Sequence, residues 1–239
     1  MGNYVDLHAH FLPGLDDGAK SQDEGLRMVG ALAALGFGVL TATPHQRSGM
    51  FLPSAADIEA AFTRVRDEAL AAQPGLEIGV AAENFWDEVL HGRLADGTVP
   101  TYPAGRAFLF EVNPQYLPPR LEHTLFDIRM AGKLPVLAHP ERYLAVQTDP
   151  DRAEALGRSA ALLVDLGALD GAHGAPARKA ARRLVEEGLA HAAASDVHTA
   201  EDQRSVAAGM AWIRKRLGPD TLERLLGDNP RQILAGEIP

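Results

Sequence analysis

The chain has 239 residues, with 23 Lys and Arg against 32 Asp and Glu, and it contains no cysteine. Without a thiol there can be no disulfide framework, no cysteine-ligated metal cluster and no cysteine nucleophile. The formal net charge of −9 counts against general binding to nucleic acid, which needs a basic face. No export signal and no apolar run of about 18 residues is found, so we expect a cytoplasmic protein without membrane insertion.

Short apolar, β-prone runs alternate with helical patterns along the chain, and no repeat or long linker divides it. We therefore expect a single domain over residues 1–239. The apolar runs are Tyr4–Leu7, Phe37–Ala42, Leu76–Ala82, Ala107–Val112, Leu134–Ala138, Ala161–Leu166 and Leu189–Ala194.

The helices between these runs differ in how clearly they are marked. Ser21 and Glu24 have the spacing of a capping box, and Gly36 can end the helix that follows. Ser54 and Asp57 resemble a second capping box at the start of another helix. Weaker helical patterns follow around 120–131, 151–158, 176–187, 203–217 and 219–227.

Seven strand–helix units in succession favour an α/β fold with parallel strands. The periodicity fits a closed barrel and an open doubly wound sheet equally well. In barrels of this class, catalytic groups gather at the carboxyl ends of the strands. The residues that follow each apolar run are therefore the ones to inspect.

Metal-binding residue types follow six of the seven runs. His8 and His10 are two positions apart, so on a strand both side chains point the same way. Asp17 lies in a glycine-flanked loop, where an ordinary turn acid is an alternative interpretation. The residues at the other run ends are His45, Glu83, Glu111, His139, Asp196 and His198. Because isolated buried charges are costly, this joint pattern predicts a metal site.

The remaining histidines serve as an internal control. They are His91, His123, His173 and His191. None follows the end of an apolar run, so we expect them to be surface or capping residues.

Several motifs together resemble the PHP (polymerase and histidinol phosphatase) superfamily. DLHAHFLPGLDDGAKS, TPHQRSGMF, HPERY and ASDVH are similar, more closely, to those of bacterial PHP-type protein-tyrosine phosphatases. These are manganese-dependent enzymes of capsule and exopolysaccharide gene clusters. The resemblance extends from about residue 5 to residue 205. It implies a distorted TIM-like barrel of about seven βα units, with the metal site at the carboxyl ends of the strands, which agrees with the strand count.

The resemblance also implies a trinuclear metal centre. The first ion would be held by His8, His10, Glu83 and Asp196. Glu83 would bridge to a second ion, completed by Glu111 and His139, and Asp17, His45 and His198 would hold the third. The oxygen and imidazole ligands suit Mn²⁺, the expected metal, with Fe or Zn²⁺ as alternatives.

Three arginines are candidates for contact with the substrate. Arg142 matches the phosphate-facing arginine of the family, although an ion pair with Glu141 is an alternative. The family places a second arginine where this chain has Gln203, so Arg204, one residue later, is its candidate replacement. Arg47 follows His45 closely and is a further substrate-binding candidate.

The activity implied by the resemblance is hydrolysis of phosphotyrosine in proteins, by attack of a metal-activated water on phosphorus. An autophosphorylated bacterial tyrosine kinase would be the partner. His45, Asp196 or a water could protonate the leaving group. The alternatives are a small-molecule phosphatase of the histidinol phosphatase type, a metal-dependent nuclease and a non-catalytic regulator. The sequence leaves the oligomeric state open.

Overall fold

The computed structural model describes residues 2–239, and its strands form two parallel sheets. The sheets have the strand orders β1-β2-β4 and β3-β5-β6-β7-β8-β9. The strands are β1 (Tyr4–Ala9), β2 (Phe37–Ala42), β3 (His45–Gln46), β4 (Glu77–Val80), β5 (Glu83–Phe85), β6 (Ala107–Glu111), β7 (Leu134–Ala138), β8 (Ala161–Asp165) and β9 (Ala192–Ala194).

The two sheets are continuous with each other, because β3 extends β2 and β5 extends β4 after gaps of two residues. The first gap contains Pro44, which has no N–H to donate to a sheet. Backbone hydrogen bonds bridge the gaps, from Ala81 N–H to the Ala42 carbonyl (2.9 Å) and from Glu83 N–H to the Pro44 carbonyl (3.1 Å). Nine strand segments therefore occupy seven strand positions.

The end of β9 meets β1 and completes a ring of strands. Asp196 N–H donates to the His8 carbonyl (2.9 Å), and His10 N–H donates to the Val197 carbonyl (3.0 Å). A parallel bridge pairs Ala9 with Val197. Because these contacts replace a full ladder, the ring is a distorted barrel. The α/β barrel expected from the sequence is confirmed.

The helices lie between the strands and, in the last part of the chain, after β9. They are α1 (Gln22–Ala34), α2 (Ala55–Ala72), α3 (Glu88–Asp96), α4 (Leu121–Met130), α5 (Leu144–Thr148), α6 (Pro150–Gly157), α7 (Leu166–Asp170), α8 (Gly174–Glu186), α9 (Gln203–Leu217), α10 (Pro219–Glu223) and α11 (Asn229–Leu234). Within residues 2–239, no helix combines the length and the apolar character that crossing a bilayer requires.

The two expected capping boxes have different outcomes. Ser54 and Asp57 form a complete box at the start of α2. At α1, the Ser21 hydroxyl accepts a hydrogen bond from Glu24 N–H at 3.3 Å. The Glu24 carboxylate, however, accepts from Lys20 N–H at 2.8 Å, so only half of that box forms.

Successive side chains along each strand point alternately into two apolar clusters. This alternation fixes the direction of the residues at the end of each strand. In β6, Leu109 belongs to the cluster made mainly of strand residues, whereas Phe108 and Phe110 belong to the larger cluster that includes the helices. Glu111 lies two positions after Leu109 and therefore faces the barrel interior at its carboxyl end.

Helix α9 packs unusually closely on α7, because Gly209 lies at the contact. A Cβ atom at this position would lie 2.1 Å from the Leu166 carbonyl oxygen. Only glycine allows the two backbones to approach so closely. The contact fixes α7 and α9, which follow β8 and β9, against each other.

Candidate metal centre

Seven of the nine predicted ligands lie at the carboxyl ends of strands or in the loops that follow them, and His45 and Glu83 begin β3 and β5, which continue β2 and β4. Three groups of side chains offer ligand atoms within 4.8 Å of one another. They are His8 with His10 and Asp196; His10 with Asp17, His45 and His198; and His45 with Glu83 and Glu111. We call the assembly of these residues and His139 the cage.

The tightest part of the cage consists of His8, His10, Glu83 and Asp196. The Nε2 atoms of the two histidines lie 3.1 Å apart. Glu83 Oε2 and Asp196 Oδ1 are 3.3 and 3.2 Å from His8 Nε2, and 3.5 and 3.4 Å from His10 Nε2. Ligands about 2.1 Å from one cation lie about 3.0–3.4 Å apart. The atoms of His8, His10 and Asp196 therefore fit a single ion, and Glu83 Oε2 borders the same group.

Two carboxylate oxygens in this group need a positive partner. Glu83 Oε2 and Asp196 Oδ1 are buried, and neither accepts a hydrogen bond within residues 2–239. Histidine nitrogens are their nearest potential partners, and a bound cation would compensate these buried negative charges. Imidazole nitrogen and carboxylate oxygen together suit Mn²⁺, Fe²⁺ or Zn²⁺, so the donor set fits a divalent metal ion.

Glu83 also faces the second predicted group. Its other oxygen, Oε1, lies 2.8 Å from His139 Nε2, and Glu111 Oε2 lies 3.9 Å from the same nitrogen. One carboxylate thus contacts histidines on both sides, which is the arrangement a bridging ligand requires.

The third predicted group lies at the mouth of the cage. Asp17 Oδ1 is 3.4 Å from His45 Nε2 and 3.5 Å from His198 Nε2. The other nitrogen of His45, Nδ1, is 2.9 Å from Glu83 Oε2. His45 therefore lies between this group and the other two, and the Asp17 side chain is 55% exposed.

Hydrogen bonds to two of the histidines orient their rings. Asp16 Oδ2 lies 2.8 Å from His10 Nδ1, and the Asp196 carbonyl lies 3.0 Å from His198 Nδ1. Each oxygen accepts the proton of Nδ1, which leaves the lone pair of Nε2 directed into the cage. Sequence patterns indicated no role for Asp16.

The pKa values reflect a deficit of positive charge in the cage. Burial alone raises the pKa of Glu83, but His8 and His45 outweigh it and hold the pKa well below its ordinary value. Burial and the negative charge of Glu83 raise the pKa of Glu111 to about 8. Burial lowers the pKa of His45, yet Glu83 and Glu111 raise it to about 10. The cage thus binds protons strongly where cations would otherwise bind.

Two of the predicted ligands have strained backbones. His139 and Asp196 have φ angles of 35° and 49°, a conformation that costs a non-glycine residue about 1–3 kcal/mol. A regular continuation of β7 would point His139 away from the face of Ala138. The turn instead brings its ring to Glu83.

Arg142 lies beside the cage, in a 3₁₀ turn after β7. Its Nη2 atom donates to Asp165 Oδ2 at 2.6 Å and to Asp196 Oδ2. Burial by itself lowers the pKa of Arg142, but Asp196 and Asp165 raise it above its ordinary value. The alternative partner, Glu141, instead accepts a hydrogen bond from Asp165 N–H at 3.3 Å.

A cavity of about 250 Å³ opens beside Arg142. Among the residues lining it are Asp165, His173 and His198. His173 Nε2 lies 2.6 Å from Asp165 Oδ2 and 2.8 Å from Arg142 Nη2. Sequence patterns did not indicate Asp165, because the sixth apolar run extends past it to Leu166.

The control histidines include one correction. His173 is exposed and precedes α8, as expected for a surface or capping residue, although its contact with Arg142 was not foreseen. His191 is half-buried, and its Nδ1 atom accepts a hydrogen bond from Leu162 N–H at 3.0 Å. It is therefore an internal structural residue, and the expectation for it was wrong.

The other two candidate arginines occupy different positions. The Arg47 guanidinium lies 4.1 Å from the centre of the Phe85 ring, and its charge lowers the pKa of Glu111 against the larger opposing effect of burial. Arg204 is exposed in the first turn of α9, and Gln203 donates to the Ala31 carbonyl at 3.0 Å. Substrate contact by either arginine stays a prediction.

The strand ring and the cage define the class of the molecule: an α/β barrel protein with a metal-type centre at the carboxyl ends of its strands. Within that class, the chain belongs to the family described as capsular polysaccharide synthesis, CpsB/CapC, whose sequence model matches residues 4–235.

Two similar proteins carry the name tyrosine-protein phosphatase. YwqE of Bacillus subtilis is 27% identical over 240 residues, 98% of this chain and 92% of that protein. CpsB of Streptococcus pneumoniae is 28% identical over 249 residues, 98% of this chain and 99% of that protein.

Solved structures share the fold. One belongs to a set of crystal structures of YwqE from Bacillus subtilis and CpsB from Streptococcus pneumoniae, which are described as unique metal-dependent tyrosine phosphatases. It matches with a TM-score of 0.87 at 24% identity, over 98% of this chain and 95% of that one. The organophosphorus hydrolase from Deinococcus radiodurans matches with a TM-score of 0.60 at 12% identity, over 97% and 92%.

Proposed function

We propose that the protein is a metal-dependent phosphatase that hydrolyses phosphotyrosine in proteins. The observation that carries this proposal is the convergence of nine His, Asp and Glu side chains around buried, unpaired carboxylate oxygens, with Arg142 beside them. Membership of the CpsB/CapC family, and relatives named tyrosine-protein phosphatases, support the choice of substrate. A phosphorylated bacterial tyrosine kinase as partner and a cytoplasmic location stay predictions.

The proposed ligands are those assigned by the resemblance. Three divalent cations, with Mn²⁺ preferred, would be held by His8, His10, Asp17, His45, Glu83, Glu111, His139, Asp196 and His198. Bound cations of this kind acidify water and neutralise the charge of a phosphate. Four carboxylates against three dications would leave the cage with a formal charge of about +2, which favours a phosphate dianion.

Arg142 would hold the phosphate at the edge of the cage. Its guanidinium borders the cavity, and a guanidinium can donate to two phosphate oxygens at once. Asp196 directs Oδ1 toward the histidines and Oδ2 toward Arg142. This carboxylate therefore fixes the distance between the proposed cation and the phosphate-binding group.

The leaving group needs modest assistance. Tyrosinate is a fair leaving group because the phenol titrates near pH 10. His45 or Asp196, both in the cage, or a water molecule could deliver the proton.

An apolar rim beside the cage favours an aromatic ester. The Phe51 ring stacks on His45, with 5.7 Å between ring centres and 16° between planes. Met50 and Leu52, its neighbours in the chain, are 59% and 49% exposed. Exposed apolar side chains next to a charged site can bind a phenyl ring. A small polar phosphate ester would make less use of them.

Hydrolysis assays with matched substrates test the proposal. With Mn²⁺ added, we expect turnover of a phosphotyrosine peptide and little turnover of the corresponding phosphoserine peptide, because the serine alkoxide is a poorer leaving group. A chelator should abolish activity. Preferred cleavage of histidinol phosphate, or degradation of DNA, would favour one of the alternative activities, and full turnover after complete removal of metal would refute the proposal.

Two substitutions separate metal binding from phosphate binding. His8→Ala should remove bound metal and activity together. Arg142→Ala should leave the metal content unchanged and lower kcat/KM tenfold to a thousandfold, about 1.4–4 kcal/mol of transition-state stabilisation. Arg152→Ala is the matched control, since Arg152 pairs with Glu122 on the surface, and it should retain full activity.

A further inference from the structure

A second concave surface lies outside the cage, between α8 and α9. This groove has a volume of about 720 Å³. Its lining consists of Ala175, Arg178, Lys179, Arg182, Arg183, Glu186, Trp212 and Arg216, and we call it the basic groove. Five basic and one acidic side chain give it a formal charge of +4, in a chain whose total is −9. A concave surface of one sign concentrates ligands of the opposite sign.

The basic side chains of the groove differ in how far they already interact with other groups of the protein. Arg216 pairs with Glu186 at 2.8 Å, and Arg183 donates to the Val146 carbonyl at 2.6 Å. Arg178 and Lys179, in contrast, are exposed on α8. These two side chains are the ones available to an anionic ligand.

The floor of the basic groove contains an aromatic ring. Trp212 is half-buried, and the Arg182 guanidinium lies 5.0 Å from the centre of its ring. Arg182 Nε also donates to the Leu169 carbonyl at 3.0 Å. The floor is therefore ordered, and it combines an apolar surface with positive charge.

The basic groove starts close to the cavity beside Arg142. Helix α8 begins at Gly174, directly after the cavity residue His173. Arg178 lies against the same loop, since a Cβ atom on Gly171 would be 3.4 Å from Arg178 Cδ. The 13 residues of α8 extend over about 20 Å, and about six residues of extended peptide span that length.

We propose that the basic groove docks an acidic segment of the phosphoprotein substrate, three to eight residues from the phosphotyrosine. This inference rests on the proposed function. The groove favours a peptide because it combines positive charge with an aromatic ring and starts close to the cavity that would receive the phosphotyrosine. A flat membrane surface would meet the exposed cations of α8 but would gain less from the half-buried Trp212.

Paired peptides test the docking. Each contains one phosphotyrosine, and either glutamates or glutamines occupy positions four to seven residues away, on the amino or the carboxyl side. With the wild-type, Mn²⁺-loaded protein, we expect kcat/KM to be about tenfold higher for the glutamate peptide on at least one side. The advantage should arise from KM and should shrink between 50 and 500 mM salt, because added salt screens exposed charges.

A charge reversal assigns this preference to the basic groove. Arg178→Glu combined with Lys179→Glu should abolish it. Arg27→Glu combined with Arg64→Glu is the matched control, because both residues are exposed on α1 and α2, and it should retain the preference. A small aryl phosphate reports whether the metal centre of each variant is intact.

Three results would overturn the docking proposal. They are equal kcat/KM for glutamate and glutamine peptides, a preference that survives the Arg178 and Lys179 reversal, and a reversal that changes only binding to phosphatidylserine vesicles. Fluorescence anisotropy with the labelled glutamate peptide tests the groove without catalysis. Peptide binding that depends on Arg178 and Lys179, in the absence of any phosphoester hydrolysis, would refute the proposed function and retain the groove.

Discussion

Replacement of Asp16 by Asn should weaken cation binding although Asp16 is not itself a proposed ligand. Its carboxylate lies at the centre of three contacts. Oδ2 accepts from His10 Nδ1 at 2.8 Å and from His45 N–H at 3.0 Å, and Oδ1 accepts from Gly18 N–H at 2.9 Å. An amide has only one oxygen, so its NH₂ group must face either Gly18 or both His10 and His45.

The size of the effect follows from these contacts. If the NH₂ group faces His10, the imidazole loses the acceptor that keeps the proton on Nδ1 and the lone pair on Nε2. Loss of such an outer partner typically lowers metal affinity tenfold to a hundredfold, about 1.4–2.7 kcal/mol. If the amide turns the other way, a donor faces Gly18 N–H and the loop that carries Asp17 is disturbed. Either orientation weakens binding.

Competition with a fluorescent chelator measures this affinity for Mn²⁺. Asp23→Asn is the matched control, because Asp23 is an exposed acid in the first turn of α1 and its replacement removes the same charge. We expect at least a tenfold loss for Asp16→Asn and less than a twofold loss for Asp23→Asn. Equal affinities of Asp16→Asn and wild type would show that the contact with His10 does not support the cage.

Three further outcomes are expected. In urea titrations, Gly209→Ala should lower the free energy of unfolding by about 3 kcal/mol, because its Cβ atom would meet the Leu166 carbonyl. Gly92→Ala, in open space within α3, should instead raise the free energy of unfolding by about 0.5–1 kcal/mol. Burial above all lowers the pKa of His191 to about 4. As the pH falls from about 6.5 to 4, His191 takes up a proton in the unfolded chain before it does so in the folded one. The free energy of unfolding of the wild type should therefore fall by about 3 kcal/mol more than that of His191→Gln across this pH range. Parallel pH profiles of stability would contradict this. Mn²⁺ at a hundred times its Kd should stabilise the fold by about 2.7 kcal/mol in calorimetry, and an unchanged Tm would argue against a native-state site.

The sequence predicted the parallel strands and the position of the site because both follow from local patterns, whereas the closure into a barrel was implied by the family resemblance. Each apolar run overlaps one strand, and the short segments β3 and β5 lie just beyond the second and third runs. Since parallel strands end at one edge, the residues after them had to converge. Local patterns did not predict the interruption after Ala42, where Thr43 and Pro44 separate β2 from β3.

The contacts around the cage were less predictable, because they depend on residues far apart in the chain. Arg142 and Asp165 are 23 positions apart, and nothing near Asp165 in the sequence indicates the arginine. One local feature could have drawn attention to Asp165, because it is the N-cap residue of α7. Its Oδ1 atom accepts a hydrogen bond from Gly167 N–H at 2.6 Å, as an acid at the start of a helix commonly does. Helices α5 and α7 were also missed, since five residues are too few to show a helical period.

We expect the cage to bind the cations that drive phosphotyrosine hydrolysis. The most direct test is a titration of metal-stripped protein with Mn²⁺, in which the number of bound ions and the turnover of a phosphotyrosine peptide are measured on the same samples. We expect the number of bound ions and the turnover to rise together and to saturate at three ions per chain. Glu83→Gln, which alters the residue shared by two groups of the cage, should lose both metal binding and turnover. Full turnover without bound metal, or three bound ions with no turnover, would contradict the account.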